Sequence, residues 1–192
     1  MHGHKITNQQ GLHFLTPTIV GWIDVFSRQS YRDLIISSLQ YCQKEKGLNL
    51  HAYVIMTNHL HLLASAQEPA RLSDILRDFK KYTSSRIIKM AKEEPESRRS
   101  WLLHMFAYHA KYNSSNKEYQ VWQKGDFPVE LNSPSMIYQK MNYLHQNPVR
   151  AGWVNESTHY LYSSASNYAE GTGLMEVDML DLPGSTFGYV HF

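Results

Sequence analysis

The chain has 192 residues, 42% of them hydrophobic, which is enough to bury the core of one domain. Its formal net charge of +2 is too small to indicate a nucleic-acid partner by itself. No apolar run of about 18 residues is present, so we expect no membrane-spanning helix. The polar first ten residues are not typical of a signal peptide. The single cysteine, Cys42, excludes an intrachain disulfide and fits a cytoplasmic location.

The first half of the chain predicts alternating strands and helices. Residues 11–23 are apolar and rich in β-branched side chains, which is typical of a strand. Residues 28–47 carry apolar side chains at helical spacing and predict a helix that ends at a glycine. A long apolar run over residues 48–65 predicts a second strand, and residues 72–94 predict a second helix that ends before a proline.

The second half predicts mainly helices. Residues 100–110 favour a short helix, and residues 121–131 favour a strand or loop interrupted by glycine and proline. Residues 133–148 predict a helix with a serine cap and a proline in the first position. Residues 152–154 indicate a closing strand, and the tail from Leu180 looks irregular.

The order of these elements predicts an α+β sandwich, in which helices pack on a small sheet. No repeat, low-complexity tract or long linker divides the sequence. We therefore expect a single domain over residues 1–192, with a core over about residues 10–178 and an irregular C-terminal tail.

Two histidines, His59 and His61, lie one residue apart in an apolar run. Side chains alternate along a strand, so both would point to the same side, with Cα atoms roughly 6.5–7 Å apart. Neutral imidazoles at this spacing can converge on one metal ion, although a partly polar strand face explains the pattern equally well. The other side would hold core residues, namely Val54, Met56, Leu60 and Leu62.

The helix predicted over residues 133–148 carries Tyr143 and Asn147. Residues four apart are neighbours on one flank of a helix. The phenol of Tyr143 is a potential nucleophile near a cation, and the amide oxygen of Asn147 suits Mg²⁺ or Mn²⁺. Taken alone, these two residues are explained more simply by packing at the core edge and by the turn before Pro148.

The helix predicted over residues 72–94 has one basic side. The side chains that cluster on it are Arg77, Lys80, Lys81, Ser84 and Lys92. An ordinary solvated face is the simpler explanation, but beside a phosphate-handling site these cations would favour contacts with a DNA backbone. Four further cations can extend the patch: Arg98, Arg99, Lys111 and Arg150.

Several longer segments resemble the single-tyrosine HUH transposases, and in particular the REP-associated tyrosine transposases of bacteria. The matching segments are GLHFLTPTIVGWIDVFSR, YCQKEKGLNLHAYVIMTNHLHLL, FKKYTSSRI, VWQKGDFPVEL, YLHQNPVRAGWV and YLYSSASNY. They follow the order of the family and lie between residues 10 and 178.

The resemblance implies a ferredoxin-like α+β sandwich, with a central antiparallel sheet and helices packed on one face. It implies that His59, His61 and Asn147 bind a divalent ion, Mg²⁺ or Mn²⁺. Tyr143 would attack a phosphate of single-stranded DNA, forming a 5′-phosphotyrosine link and freeing a 3′-OH, and a second strand end would reverse the step. Beside such a site, the DNA contacts expected from the basic patch are Arg77, Lys80, Lys81, Lys92 and Arg150. A DNA hairpin and a second copy of the chain are the expected partners.

Some alternatives stay open. Gln146 competes with Asn147 as third ligand, and Tyr82 is a second tyrosine in a matching segment, interpreted as structural or DNA-contacting. Phe127 stands where relatives tend to carry a nearby His or Asp, so a hairpin-binding relative with little or no catalysis is a rival. A zinc hydrolase using the histidine pair is less favoured, because no third His or carboxylate has ligand spacing. Three aromatics can stack on bases but suit a core better: Trp122, Tyr160 and Tyr162.

Overall fold

The computed structural model describes residues 5–113, 118–125 and 127–181. The strands are β1 (His13–Leu15), β2 (Leu48–Ile55), β3 (Leu60–Ala66) and β4 (Val129–Glu130). The helices are α1 (Gln29–Lys46), α2 (Leu72–Glu93), α3 (Arg99–Lys111), α4 (Pro134–His145), α5 (Asn147–Arg150) and α6 (Ala165–Glu170). The strands form one antiparallel sheet in the order β2-β3-β1-β4, which confirms the predicted α+β fold. No helix among the described residues is long and apolar enough to cross a membrane.

The predicted helix ends follow local chemistry. Gly47 adopts the left-handed conformation, with φ of 72°, and its N–H donates to the Cys42 carbonyl, so α1 ends as a glycine C-cap should. α2 ends two residues before Pro95, as predicted. The Ser133 side chain accepts a hydrogen bond from the Met136 N–H, so the predicted serine cap of α4 is confirmed.

The single strand predicted over residues 48–65 is wrong, because this segment is the hairpin formed by β2 and β3. The chain reverses at a turn whose two central residues are Thr57 and Asn58, and the Met56 N–H donates to the His59 carbonyl at 2.9 Å. Both strands are largely buried, so their apolar residues run together in the sequence. The turn also lacks the glycine or proline that usually marks a hairpin.

The turn changes which residues share a face of the sheet. Val54 pairs directly with His61, and paired residues of antiparallel strands point to the same side. The prediction that Val54 and Met56 lie on the side opposite to the histidines is therefore wrong. The alternation along one strand does not continue through a turn into the next.

Of two other strand predictions, the first is partly confirmed and the second is wrong. Of residues 11–23, only β1 is a strand, and the run continues into a 3₁₀ turn at Val20–Trp22. Residues 152–154 form no strand, because the chain turns there after α5. The end of the irregular tail, residues 182–192, lies outside the described residues.

The sheet separates two apolar clusters. Leu60 and Leu62 of β3 face the larger one, which α1 and α2 cover. Leu63 faces the smaller one, together with Leu144 of α4. The resemblance implies helices on one face of the sheet, whereas α4 lies on the face opposite to α1 and α2. The apolar side chains of α4, namely Ile137, Met141 and Leu144, pack in this smaller cluster.

A buried hydroxyl fixes α4 against the sheet. Ser164 Oγ accepts a hydrogen bond from the Tyr53 N–H at 2.9 Å and is also hydrogen-bonded to His145 Nε2 at 2.9 Å. The Ser164 N–H donates to the Tyr53 carbonyl, so this segment also covers the outer edge of β2. Burial lowers the pKa of His145 to about 3 and keeps its ring neutral in this contact. The end of α4 is thus tied to β2 by one side chain.

We expect Ser164→Ala to lower the free energy of unfolding by on the order of 2–4 kcal/mol, because it leaves the Tyr53 N–H and His145 Nε2 buried without this partner. Chemical denaturation would measure the loss. Ser37→Ala is the matched control, because Ser37 is exposed on α1 and should change stability by less than about 0.5 kcal/mol. Equal losses in both variants would contradict a fixing role for Ser164.

Candidate active site on the second face of the sheet

The histidine pair lies where the turn between β2 and β3 ends. His59 closes the turn and is half-buried, and His61 follows on β3 with 5% of its surface exposed. Their ring centroids are 4.7 Å apart, and the ring planes meet at 71°. The two imidazoles therefore lie side by side on the face that α4 covers.

Backbone hydrogen bonds from residues 19 and 26 stabilise the turn before His59. The Ile19 N–H donates to the Asn58 carbonyl at 2.9 Å, and the Phe26 N–H donates to the Thr57 carbonyl at 2.8 Å. These bonds satisfy both central carbonyls of the turn, which would otherwise be left without protein partners. The position of His59 is thus fixed from two sides.

Each imidazole is held through its Nδ1 atom. His59 Nδ1 lies 2.6 Å from Asn58 Oδ1, and His61 Nδ1 lies 3.1 Å from Thr16 Oγ1. Asn58 Nδ2 donates to the Trp22 carbonyl, so the amide oxygen faces His59 and accepts the Nδ1 proton. Both rings are thereby oriented with Nε2 available for another partner.

The Nε2 atom of His61 is buried and has no hydrogen-bond partner among the described residues. A buried nitrogen without a protein partner is costly unless a water molecule, an ion or a ligand contacts it. Burial lowers the pKa of His59, and burial together with nearby positive charge lowers the pKa of His61 to about 3. Both rings are therefore neutral at pH 7, the form in which imidazole binds a metal.

Tyr143 lies against this pair from α4. Its ring centroid is 5.3 Å from that of His61, and 40% of its surface is exposed. Two cations flank the ring: Arg150 Cζ lies 4.3 Å from its centroid, and Lys140 Nζ lies 5.8 Å from it. A phenol beside neutral imidazoles and two positive charges is well placed to meet a phosphate.

Asn147 is joined to Tyr143 through the backbone. Asn147 Nδ2 donates to the Tyr143 carbonyl at 3.0 Å, and the Arg150 guanidinium donates to the same oxygen at 2.7 Å. This double contact caps the last turn of α4 and keeps both side chains beside the tyrosine. Gln146, the other candidate ligand, is half-buried at the junction of α4 and α5.

The part of the chain that the structure describes contains no group of three or more His, Cys, Asp or Glu side chains placed to hold a metal. A metal at the histidine pair would therefore need an amide oxygen, a water molecule or a substrate oxygen as a further ligand. That ligand chemistry suits Mg²⁺ or Mn²⁺ better than a closed structural zinc site.

Comparison with known proteins decides the family. The model of the IS200-like transposase family matches residues 23–124, which is just over half of the chain. The chain belongs to the IS200-like transposases. It is therefore a transposase, an enzyme that cuts and joins DNA. The matched range contains His59 and His61 and ends before α4, so Tyr143 lies outside it.

A solved structure supports the fold of this transposase. A REP-associated tyrosine transposase bound to a REP hairpin has a TM-score of 0.59 and 16% identity, and the match covers 100% of this chain and 99% of that chain. A candidate transposase from Deinococcus radiodurans R1 has a TM-score of 0.46 and 16% identity, over 76% of this chain and 97% of that one. No curated protein matches the sequence.

The basic side of α2 does not join the histidine pair in this transposase. α2 covers the larger apolar cluster, on the opposite face of the sheet. Arg77 is paired with Asp74 at 2.6 Å, and Lys92 lies 3.6 Å from Glu118. The remaining residues of interest on this helix are Lys80, which donates to the Gln123 carbonyl, and the exposed Lys81 and Tyr82. The role of α2 in DNA contact stays a prediction.

The other aromatic candidates divide between core and surface. Trp122 and Tyr162 are buried, and the Tyr160 hydroxyl donates to the Ile55 carbonyl at 2.8 Å, so these three are part of the packed structure. Phe127 is 56% exposed, with φ of 43°, shortly before β4. A phenylalanine there offers neither a ligand atom nor a proton.

Sequence reasoning missed four residues at the site: Thr16, Trp22, Asn58 and Lys140. Lys140 carries a usable signal, because it precedes Tyr143 by three positions and so lies on the same flank of a helix. Asn58 is adjacent to His59, but only the turn shows that its side chain reaches back to the ring. The contact of Thr16 with His61 depends on the pairing of strands, and the contact of Trp22 with Asn58 depends on the backbone of the 3₁₀ turn.

We expect the neutral His59 ring to carry its proton on Nδ1, because the Asn58 oxygen can only accept. Long-range ¹H–¹⁵N correlation spectra distinguish the two tautomers. Asn58→Ala should remove the preference, whereas Asn49→Ala, on β2, should leave it unchanged. A wild-type ring protonated on Nε2 would contradict the orientation described above.

Proposed function

We propose that this transposase cleaves and rejoins single-stranded DNA through Tyr143, with a divalent ion bound at His59 and His61. The observation that carries the proposal is the position of the Tyr143 ring, 5.3 Å from a histidine whose buried Nε2 has no partner among the described residues. A nucleophile and a candidate ligand thus share one surface. This arrangement is what metal-assisted covalent catalysis on a phosphate requires.

The residues present fit a divalent ion. His59 and His61 are neutral and oriented by their Nδ1 contacts, and the unpartnered His61 Nε2 offers a ligand atom. We propose the amide oxygen of Asn147 as the third protein ligand, since its nitrogen is already bound to the Tyr143 carbonyl. When bound, Mg²⁺ or Mn²⁺ would supply positive charge to an oxygen of the scissile phosphate.

The chemistry of the chain's own residues follows from their placement. The Tyr143 oxygen attacks the phosphorus and loses its proton to solvent, and a new bond forms between that oxygen and phosphorus. The bond from phosphorus to the 3′-oxygen breaks, and that oxygen takes up a proton as a free 3′-OH. Arg150 and Lys140, beside the tyrosine ring, attract the charged phosphate and stabilise the charge that spreads over its oxygens.

Rejoining is the same reaction in reverse. The 3′-OH of a second strand end attacks the 5′-phosphotyrosine, the bond between phosphorus and the Tyr143 oxygen breaks, and the phenol recovers a proton. One phosphodiester bond is broken and one is formed. No external energy source is therefore needed.

We propose a DNA hairpin with an unpaired flank as the substrate. The REP-associated tyrosine transposase with the same fold was solved with a REP hairpin bound. The proposed nucleophile is partly exposed rather than enclosed, which suits a polymeric substrate. Assembly of this chain into a homodimer stays a prediction.

The direct test is formation of a covalent adduct. The full chain would be incubated with a single-stranded hairpin oligonucleotide and Mg²⁺ or Mn²⁺, and the products resolved on a denaturing gel. We expect an adduct with the wild type and none with Tyr143→Phe, because the nucleophile is lost. Tyr82→Phe is the matched control and should retain the adduct.

Chelation of the metal, or His61→Ala, should also abolish the adduct while the oligonucleotide still binds. Binding by the wild type with no adduct under any metal would support the hairpin-binding alternative, which the phenylalanine at position 127 favours. An adduct that survives in Tyr143→Phe but is lost in Tyr82→Phe would overturn the assignment of the nucleophile.

The third ligand can be tested by Mn²⁺ binding, followed by electron paramagnetic resonance. We expect Asn147→Ala to weaken binding by about 10-fold or more, and Gln146→Ala to change it little. Asn147→Asp keeps a hard oxygen but loses the amide that caps α4. Binding retained in Asn147→Asp would therefore separate ligation from capping, whereas a stronger effect of Gln146→Ala would reassign the ligand.

A further inference from the structure

Trp22 is a large apolar side chain in an unusual position. It is 62% exposed, and its backbone has φ of 56°, a left-handed conformation that a tryptophan rarely adopts. Its neighbour Gly21 has φ of 60°, so two successive residues are left-handed. The exposed indole is not buried in the core, and strained backbone conformations of this kind cluster at functional sites.

The surrounding structure holds this conformation in place. The Val20 N–H donates to the Val121 carbonyl at 2.9 Å, and the Trp22 N–H donates to the Ile19 carbonyl at 3.1 Å. A side chain at Gly21 would meet the His109 ring, since a Cβ built there lies 2.6 Å from Nε2. The turn is thus built to present the residue that follows the glycine.

The indole is presented beside the candidate active site. Its ring centroid lies 6.0 Å from that of His59, and the ring planes meet at 70°. The Trp22 carbonyl accepts the Asn58 amide, the same group that orients His59. The exposed ring and the histidine pair therefore belong to one connected unit of structure.

We propose that Trp22 is a stacking platform for an unpaired base, in the nucleotide next to the phosphate bound at the histidine pair. This inference rests on the proposed function of that site. An aromatic side chain can stack on any base, so the contact would hold the strand without reading its sequence. Its role is to position the DNA strand beside Tyr143, not to take part in the chemistry.

The proposal can be tested without metal and without catalysis, using tryptophan fluorescence. The full chain carrying Tyr143→Phe would be titrated with oligothymidylate, and with an oligonucleotide of equal length whose sugars lack bases. We expect oligothymidylate to quench the emission. Trp22→Ala should remove most of this quenching and weaken binding by about 5- to 100-fold, and Trp22→Phe should retain most of the affinity.

The oligonucleotide without bases should bind equally to the parent protein and to Trp22→Ala, because backbone contacts are unchanged. Trp101→Ala is the matched control, since Trp101 is also exposed but lies on α3. It should leave the affinity for oligothymidylate unchanged.

Trp22→Gly separates a binding role from a structural one. Glycine accepts the left-handed backbone, so this variant should unfold thermally at or above the parent temperature while binding oligothymidylate more weakly. A fall in unfolding temperature with unchanged affinity would overturn the proposal, as would full quenching in Trp22→Ala. If oligothymidylate quenches the emission but the chain with Tyr143 intact forms no covalent adduct with the hairpin, the stacking contact stands and only the proposed chemistry is rejected.

Discussion

The site depends on one reversal of the chain, at the turn of Thr57 and Asn58. Because Val54 pairs with His61, the turn decides that both histidines point away from α1 and α2. One residue more or less in this turn would move His61 into the apolar core. Several contacts fix this register. The carbonyls of the turn accept backbone hydrogen bonds, and His59 is hydrogen-bonded to the Asn58 side chain.

The second constraint is the docking of α4 on that same face. Leu144 is fully buried, and Ser164 joins His145 to the backbone of Tyr53, so α4 has little freedom to slide. The tyrosine then meets the histidines as a consequence of apolar packing. Polar groups are concentrated at the margin of the apolar cluster, where His61 is buried and Tyr143 reaches solvent.

Much of the fold and of the candidate site can be predicted from the sequence, for physical reasons that differ from one element to the next. α1 and α2 have strong helical periodicity and clear ends, so local chemistry predicts them. The hairpin was missed because its turn lacks glycine and both strands are apolar. The prediction that His61 and Tyr143 belong to one site came from a family resemblance. Residues so far apart in the sequence meet only through tertiary packing, which no local pattern shows. The roles of Lys140 and Trp22 depend on side-chain placement and on a backbone angle that no local pattern encodes.

The central claim is that Tyr143 forms the bond to DNA, and mass spectrometry of the covalent adduct tests it most directly. After nuclease and trypsin digestion, cleavage follows Lys140 and Arg150, so the tyrosine lies in the peptide over residues 141–150. We predict a nucleotide attached through its 5′-phosphate to Tyr143 in that peptide. A nucleotide on the peptide over residues 82–86, or on any other tyrosine, would contradict the account.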